Sequence, residues 1–144
     1  MNIKKTIIGL MLSLLFCNGV AAADYDNGLR AYNTGDFKTA LAEWTPLAKN
    51  GNPILQYALG GFYRQGKGVP QNYKTAVKWY TLSAEQGYAE AQYNLGVINY
   101  NGHGVLKNDK AAVKWFSLAG EQGHANAQYN LGIMYDKGEG VLKD

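Results

Sequence analysis

A period of 36 residues runs through this chain and restricts what it can fold into. Gln56, Gln92 and Gln128 are spaced by 36, as are Gly60, Gly96 and Gly132 and the turn glycines Gly66, Gly102 and Gly138. Ala76 and Trp79 return 36 residues later as Ala112 and Trp115. Each unit holds two stretches with helical spacing, separated by a glycine-rich turn. A fixed period of this length, with two helices per unit, predicts a helical solenoid. The expected fold is therefore all-α, an α/α right-handed superhelix of antiparallel helix pairs. Solenoids usually work by presenting a surface.

The first residues read as a targeting segment. Lys4 and Lys5 form a positive start, Ile7 to Phe16 an apolar run, and Ala21-Ala22-Ala23 the small residues a signal peptidase accepts. Cleavage is expected after Ala23. The run is short for a bilayer span, so the membrane is expected to be met only transiently, through this leader. Cys17 lies within the leader behind bulky Phe16, which argues against lipidation. A mature chain from Asp24 then has no cysteine, and disulfides play no part.

Removing the leader also changes the charge. Of 14 basic residues two leave with it, so 12 face 11 acidic ones and the net charge falls from +3 to +1. No basic stripe remains, and nucleic acid is not an expected partner.

The domains are read as a leader over 1–23 and a repeat domain over 24–144. The repeat domain divides into a partial repeat 24–51, repeats 52–87 and 88–123, and an incomplete repeat 124–144. Helices are expected over Tyr25 to Asn33, from Asp36 to Ala48, and from Pro53 to about Gln65. Further helices follow Asn72, run from Ala89 to Asn101, follow Asn108, and run from Ala125 to Lys137. Pro53 suits the first turn of its helix. Asp36, Asn72 and Asn108 are expected N-caps, and Val69 a plug for the end of its helix pair. Pro46 inside the second helix frees the carbonyl of Ala42 and is expected to kink it. Gly60, Gly96 and Gly132 each cost roughly 1 kcal/mol of helix propensity, so their recurrence predicts a close helix approach. Trp79 and Trp115 are expected to fill the space between repeats. Asp144 aligns with the caps Asn72 and Asn108, which reads as an array continuing beyond it, or as a bare flank open to self-association through the last repeat.

These features resemble the Sel1-like repeats, relatives of the tetratricopeptide repeat. The matching text is Ala91-Gln92-Tyr93-Asn94-Leu95-Gly96, then Gly102-His103-Gly104-Val105, then Asp109 with Ala112, Trp115 and Gly123. The stretch from Ala40 to Ala48 resembles the partial first repeat of secreted bacterial members. Asn99 departs from the pattern, standing where other units have Tyr63 and Tyr135, with Tyr100 one place on. Gly120, aligned with Ala84, is a second departure. The resemblance implies a scaffold or adaptor for protein complexes, periplasmic or secreted, in a Gram-negative bacterium. Some secreted relatives are linked to host-cell interaction or envelope maintenance. A cysteine-rich branch is associated with penicillin binding, and this chain lacks its cysteines.

No catalytic constellation stands out. His103 aligns with Lys67 and Glu139, and His124 with Tyr88, so neither sits at a position that demands imidazole. Their spacing does not suit a metal site, and neither metal nor cofactor is expected. There is no nucleophile elbow or phosphate-binding glycine loop. Glu85 and Glu121 recur near helix ends in separate repeats and read as solvated. A cell-wall or β-lactam-related hydrolase using them or a histidine is the remote alternative, and a structural unit with an incidental groove the nearer one. The favoured reading is a binding groove on the concave face, lined by the first helix of each unit. Its expected residues are Tyr57, Tyr93, Asn94, Val97, Asn101, Tyr129, Asn130 and Ile133. Equivalent side chains on successive helices would stand about 10 Å apart, with asparagines for a peptide backbone and tyrosines for its side chains. The partner is a protein or peptide.

Overall fold

A computed structural model of the chain describes residues 23–141. Residues 1–22 of the expected leader, Cys17 among them, and Asp144 lie outside them. Among the described residues seven helices follow one another: α1 (Tyr25–Asn33), α2 (Phe37–Lys49), α3 (Pro53–Gln65), α4 (Tyr73–Glu85), α5 (Ala89–Asn101), α6 (Asp109–Glu121) and α7 (Ala125–Lys137). No strand occurs among the described residues. The helices form antiparallel pairs stacked into an all-α solenoid. Each packs mainly on its neighbours in sequence, with one direct approach of α5 to α7.

Local chemistry sets the helix ends. Asp36, Asn72 and Asn108 each accept a bond from the backbone N–H three residues on, at Thr39, Thr75 and Ala111. Asn52 adds a cap before Pro53. These oxygens satisfy donors that a helix start otherwise leaves unpaired. The bonds from Thr39 also hold the Asp36 carboxyl below its usual titration range. Gly66, Gly102 and Gly138 end α3, α5 and α7 in the left-handed conformation, which glycine adopts without steric cost. α2 runs on through Pro46, and Asn50 N–H still reaches the Pro46 carbonyl at 3.0 Å.

The core is three stacked clusters, one per interface of helix pairs. A glycine on the first helix of a pair meets a ring on the second. A Cβ at Gly60 would lie 2.6 Å from the Tyr80 ring, and one at Gly96 2.5 Å from Phe116. Gly28 lies in the same way against Trp44. Close approach was the expected reason for these glycines, and it holds wherever a second helix is present. The tryptophan expectation needs refining. Trp79 and Trp115 do pack against the cluster of the preceding repeat, but both are only partly buried. The fully buried rings are one residue on, Tyr80 and Phe116, each 1 % exposed.

The recurring glutamines bind the pairs end to end. Gln56 is 4 % exposed and donates to the Ala48 carbonyl at 3.0 Å, while its own oxygen accepts from Gln86 at 2.7 Å. Gln92 repeats this with Ala84 and Gln122, at 3.1 and 2.8 Å. The Ala48 and Ala84 carbonyls, at helix C-termini, also accept from the N–H of Gly51 and Gly87, so the buried amides add a second donor there and are themselves satisfied.

Candidate functional site

Two clefts lie along the helices that open each pair. The first, about 350 Å³, lies between α5 and α7, with Phe116 of α6 and Met134 at its floor. Tyr93, Val97, Asn101, Asn130 and Ile133 line it, joined by Tyr100 and Lys137. The second, about 310 Å³, lies nearer the N-terminus between α1 and α3 and includes Tyr32, Tyr57, Arg64 and Tyr88.

Five of the eight residues expected from sequence thus share one cleft. Tyr57 belongs to the other. Asn94 and Tyr129 line neither, and Tyr129 is 70 % exposed. The split follows from helical geometry. Val97 and Asn101 are four apart and share a face, whereas Asn94 is one residue from Tyr93 and turned about 100° from it. Sequence reasoning also passed over Tyr100, Phe116 and Met134 as cleft residues. Phe116 and Met134 serve core and cleft together, a double role that repeat comparison does not reveal. Tyr100 left a trace, as the aromatic displaced by one place from the repeat pattern.

Neighbouring rings hold both clefts in shape. Tyr93 stacks on His124 at 4.5 Å between centroids and 20° between planes. His124 Nδ1 accepts from Ala127 N–H at 3.3 Å as the N-cap of α7, so the imidazole orients a cleft tyrosine. His103 is exposed, its ring 5.7 Å from Tyr73. In the second cleft Tyr57 lies against Tyr80 and Tyr88, at 5.7 and 5.2 Å. Arg64 Nε donates to the Tyr80 hydroxyl at 3.3 Å. Burial pushes the Tyr80 phenol above its usual value, against the opposing pull of that arginine, and burial also raises Tyr88.

The charge available to a ligand is positive. Lys137 lines the first cleft and Arg64 and Lys67 the second, with no carboxylate on either wall. Glu85 and Glu121 are exposed at the ends of α4 and α6. Among the described residues no three His, Cys, Asp or Glu side chains converge as metal ligands, and no helix is long and apolar enough to cross a membrane.

The family pattern described as the Sel1 repeat matches residues 53–88, 89–124 and 125–144. The chain belongs to the Sel1 repeat family. This TPR-like fold generally mediates protein–protein interaction. Among solved structures, the chain is similar to a Sel1 repeat protein from Oxalobacter formigenes, with 36% identity and a TM-score of 0.78. That match covers 84% of this chain and 50% of the other. It is also similar to a protective antigen present in uropathogenic Escherichia coli strains, displaying an SLR fold, with 34% identity and a TM-score of 0.79. There the match covers 100% of this chain and 30% of the other. The chain thus spans half or less of the length of these Sel1 relatives. No curated protein matches it.

Proposed function

We propose that this Sel1 repeat chain is a peptide- or protein-binding scaffold of the bacterial envelope or secreted fraction, working through the groove along its pair-opening helices. The observation that carries the reading is the α5–α7 cleft. It combines an apolar floor of Phe116 and Met134, amides at Asn101 and Asn130, an aromatic wall at Tyr93 and Tyr100, and one cation at Lys137. Amides suit the polar backbone of an extended peptide, and rings its apolar side chains. The all-positive charge of both clefts favours a peptide bearing a carboxylate. The basic start, apolar run and alanine exit before Asp24 support export, with the leader removed after Ala23. Bacterial relatives, one of them a protective antigen, accord with that location.

Crosslinking capture from the native envelope fraction tests this. A variant with Val97, Asn101 and Asn130 changed to alanine is compared with Asn94→Ala, which lies outside the cleft, with circular dichroism confirming both are folded. A partner kept by Asn94→Ala and lost by the triple variant is the expected result. Equal capture by both, or capture by neither, would sink the groove reading and leave a structural unit whose groove is incidental.

A further inference from the structure

One repeat differs from the others at three places that meet in the cleft between α1 and α3. Gly61 stands where the later units carry Val97 and Ile133, and Arg64 where they carry Tyr100 and Asp136. Tyr80 stands where the next unit carries Phe116. Gly61 and Arg64 are neighbours on one face of α3, while Tyr80 comes from α4. All three line the cleft, with Tyr32 of α1, Trp44 of α2 and Tyr88 at the start of α5. Its walls thus come from consecutive elements inside the array.

The three differences act together. A Cβ at Gly61 would lie 3.8 Å from the Tyr80 hydroxyl oxygen, so a valine there, as at position 97, puts a branched side chain against that hydroxyl. Glycine leaves it open. Tyr80 is 1 % exposed, and its hydroxyl accepts from Arg64 Nε at 3.3 Å. Among the described residues nothing accepts the hydroxyl's own proton, and the terminal nitrogens of Arg64 make no ion pair. Buried hydroxyls are rarely left with a donor unused. Lys67 adds a second cation to this wall, and no carboxylate lies on it. A phenol proton and a guanidinium at one opening suit an acceptor that is itself charged. We propose that this cleft takes an acidic side chain of the bound peptide, its carboxylate between the Tyr80 hydroxyl and the Arg64 guanidinium and its stem over Gly61. This names a specificity element of the groove and rests on the groove reading. The α5–α7 cleft has Phe116 and Val97 at the matching positions, so it lacks both the hydroxyl and the opening.

A display library of random peptides selected on the purified chain tests this. Enriched peptides are resynthesised as C-terminal amides with a fluorophore, so that any carboxylate is a side chain's, and their binding is read by anisotropy. An aspartate or glutamate at a fixed place in the enriched set is the expected product. Changing that acid to its amide should weaken binding about tenfold, and so should Arg64→Gln on the protein. The two changes together should cost no more than either alone. Gly61→Val should also weaken binding about tenfold, whereas it should melt no lower than the parent, because a Cβ there makes only ordinary contacts and helix propensity rises. Enriched peptides with no acid in common, or an acid whose loss costs as much on Arg64→Gln as on the parent, overturn the proposal and leave the groove reading standing. Enrichment of no peptide, or only of peptides that bind the parent, Gly61→Val and the Val97, Asn101 and Asn130 triple variant alike, overturns the groove reading and this inference with it.

Discussion

At the residue scale, the same glycine position carries opposite instructions in different repeats. Gly96 is a contact with Phe116, whereas Gly132 faces open space. Gly96→Ala must displace a buried ring and is expected to lower stability by about 1–3 kcal/mol. Gly132→Ala gains helix propensity without a clash and is expected to raise stability by up to about 1 kcal/mol. Urea unfolding of the two variants beside the parent checks both signs. Gln92→Leu removes one of two donors from the Ala84 carbonyl and the shorter of two bonds from the Gln122 amide, and should cost about 1 kcal/mol in the same measurement. The recurring glycines and glutamines announced themselves in the sequence because each recurs at 36-residue intervals. Their partners did not. Tyr80 and Phe116 differ in type, and the identical tryptophans beside them drew attention to the less buried position.

Among the elements, the turns prove as structural as the helices. The second glycine of each Gly-x-Gly turn sits against the start of the second helix of the preceding pair: Gly68 on Phe37, Gly104 on Tyr73 and Gly140 on Asp109. Gly104 has φ +76°, and a Cβ there would lie 2.6 Å from Tyr73 Cβ. Gly104→Ala combines backbone strain with a collision and is expected to lower the melting temperature by several degrees, read by circular dichroism. The α4 element adds a pH dependence. Burial raises Tyr80 above its ordinary value of 10.0, so the folded state holds this proton more tightly than the unfolded one. The stability it contributes is complete below about pH 10 and is lost as pH rises through its folded value. Tyr80→Phe, which installs the ring found at Phe116, should melt with a shallower decline than the parent across that alkaline range. Helix positions were largely legible from caps and turn glycines, and α1, α3, α5 and α7 run over the expected residues. The cleft was legible only in part, because side chains one residue apart on a helix diverge, as Tyr93 and Asn94 do.

For the whole molecule, the stacking is close to one-dimensional. Contacts join mainly helices adjacent in sequence, so stability is expected to fall from the middle pairs toward α1 and α7. Native-state hydrogen exchange should find the slowest amides in α4 and α5 and the fastest helical ones at the two ends. Peptide binding in the α5–α7 cleft should slow exchange in α7 more than in α1. The glutamine links have a further consequence for how such a chain changes over time. Each reaches back eight residues to a carbonyl and is reached from thirty residues ahead. Gaining or losing one residue within a helix turns everything beyond it by about 100° and throws the amides off their marks. The chain is ruled like a measuring tape whose smallest division is an entire unit. Lengthening or shortening it intact means adding or deleting 36 residues at a time.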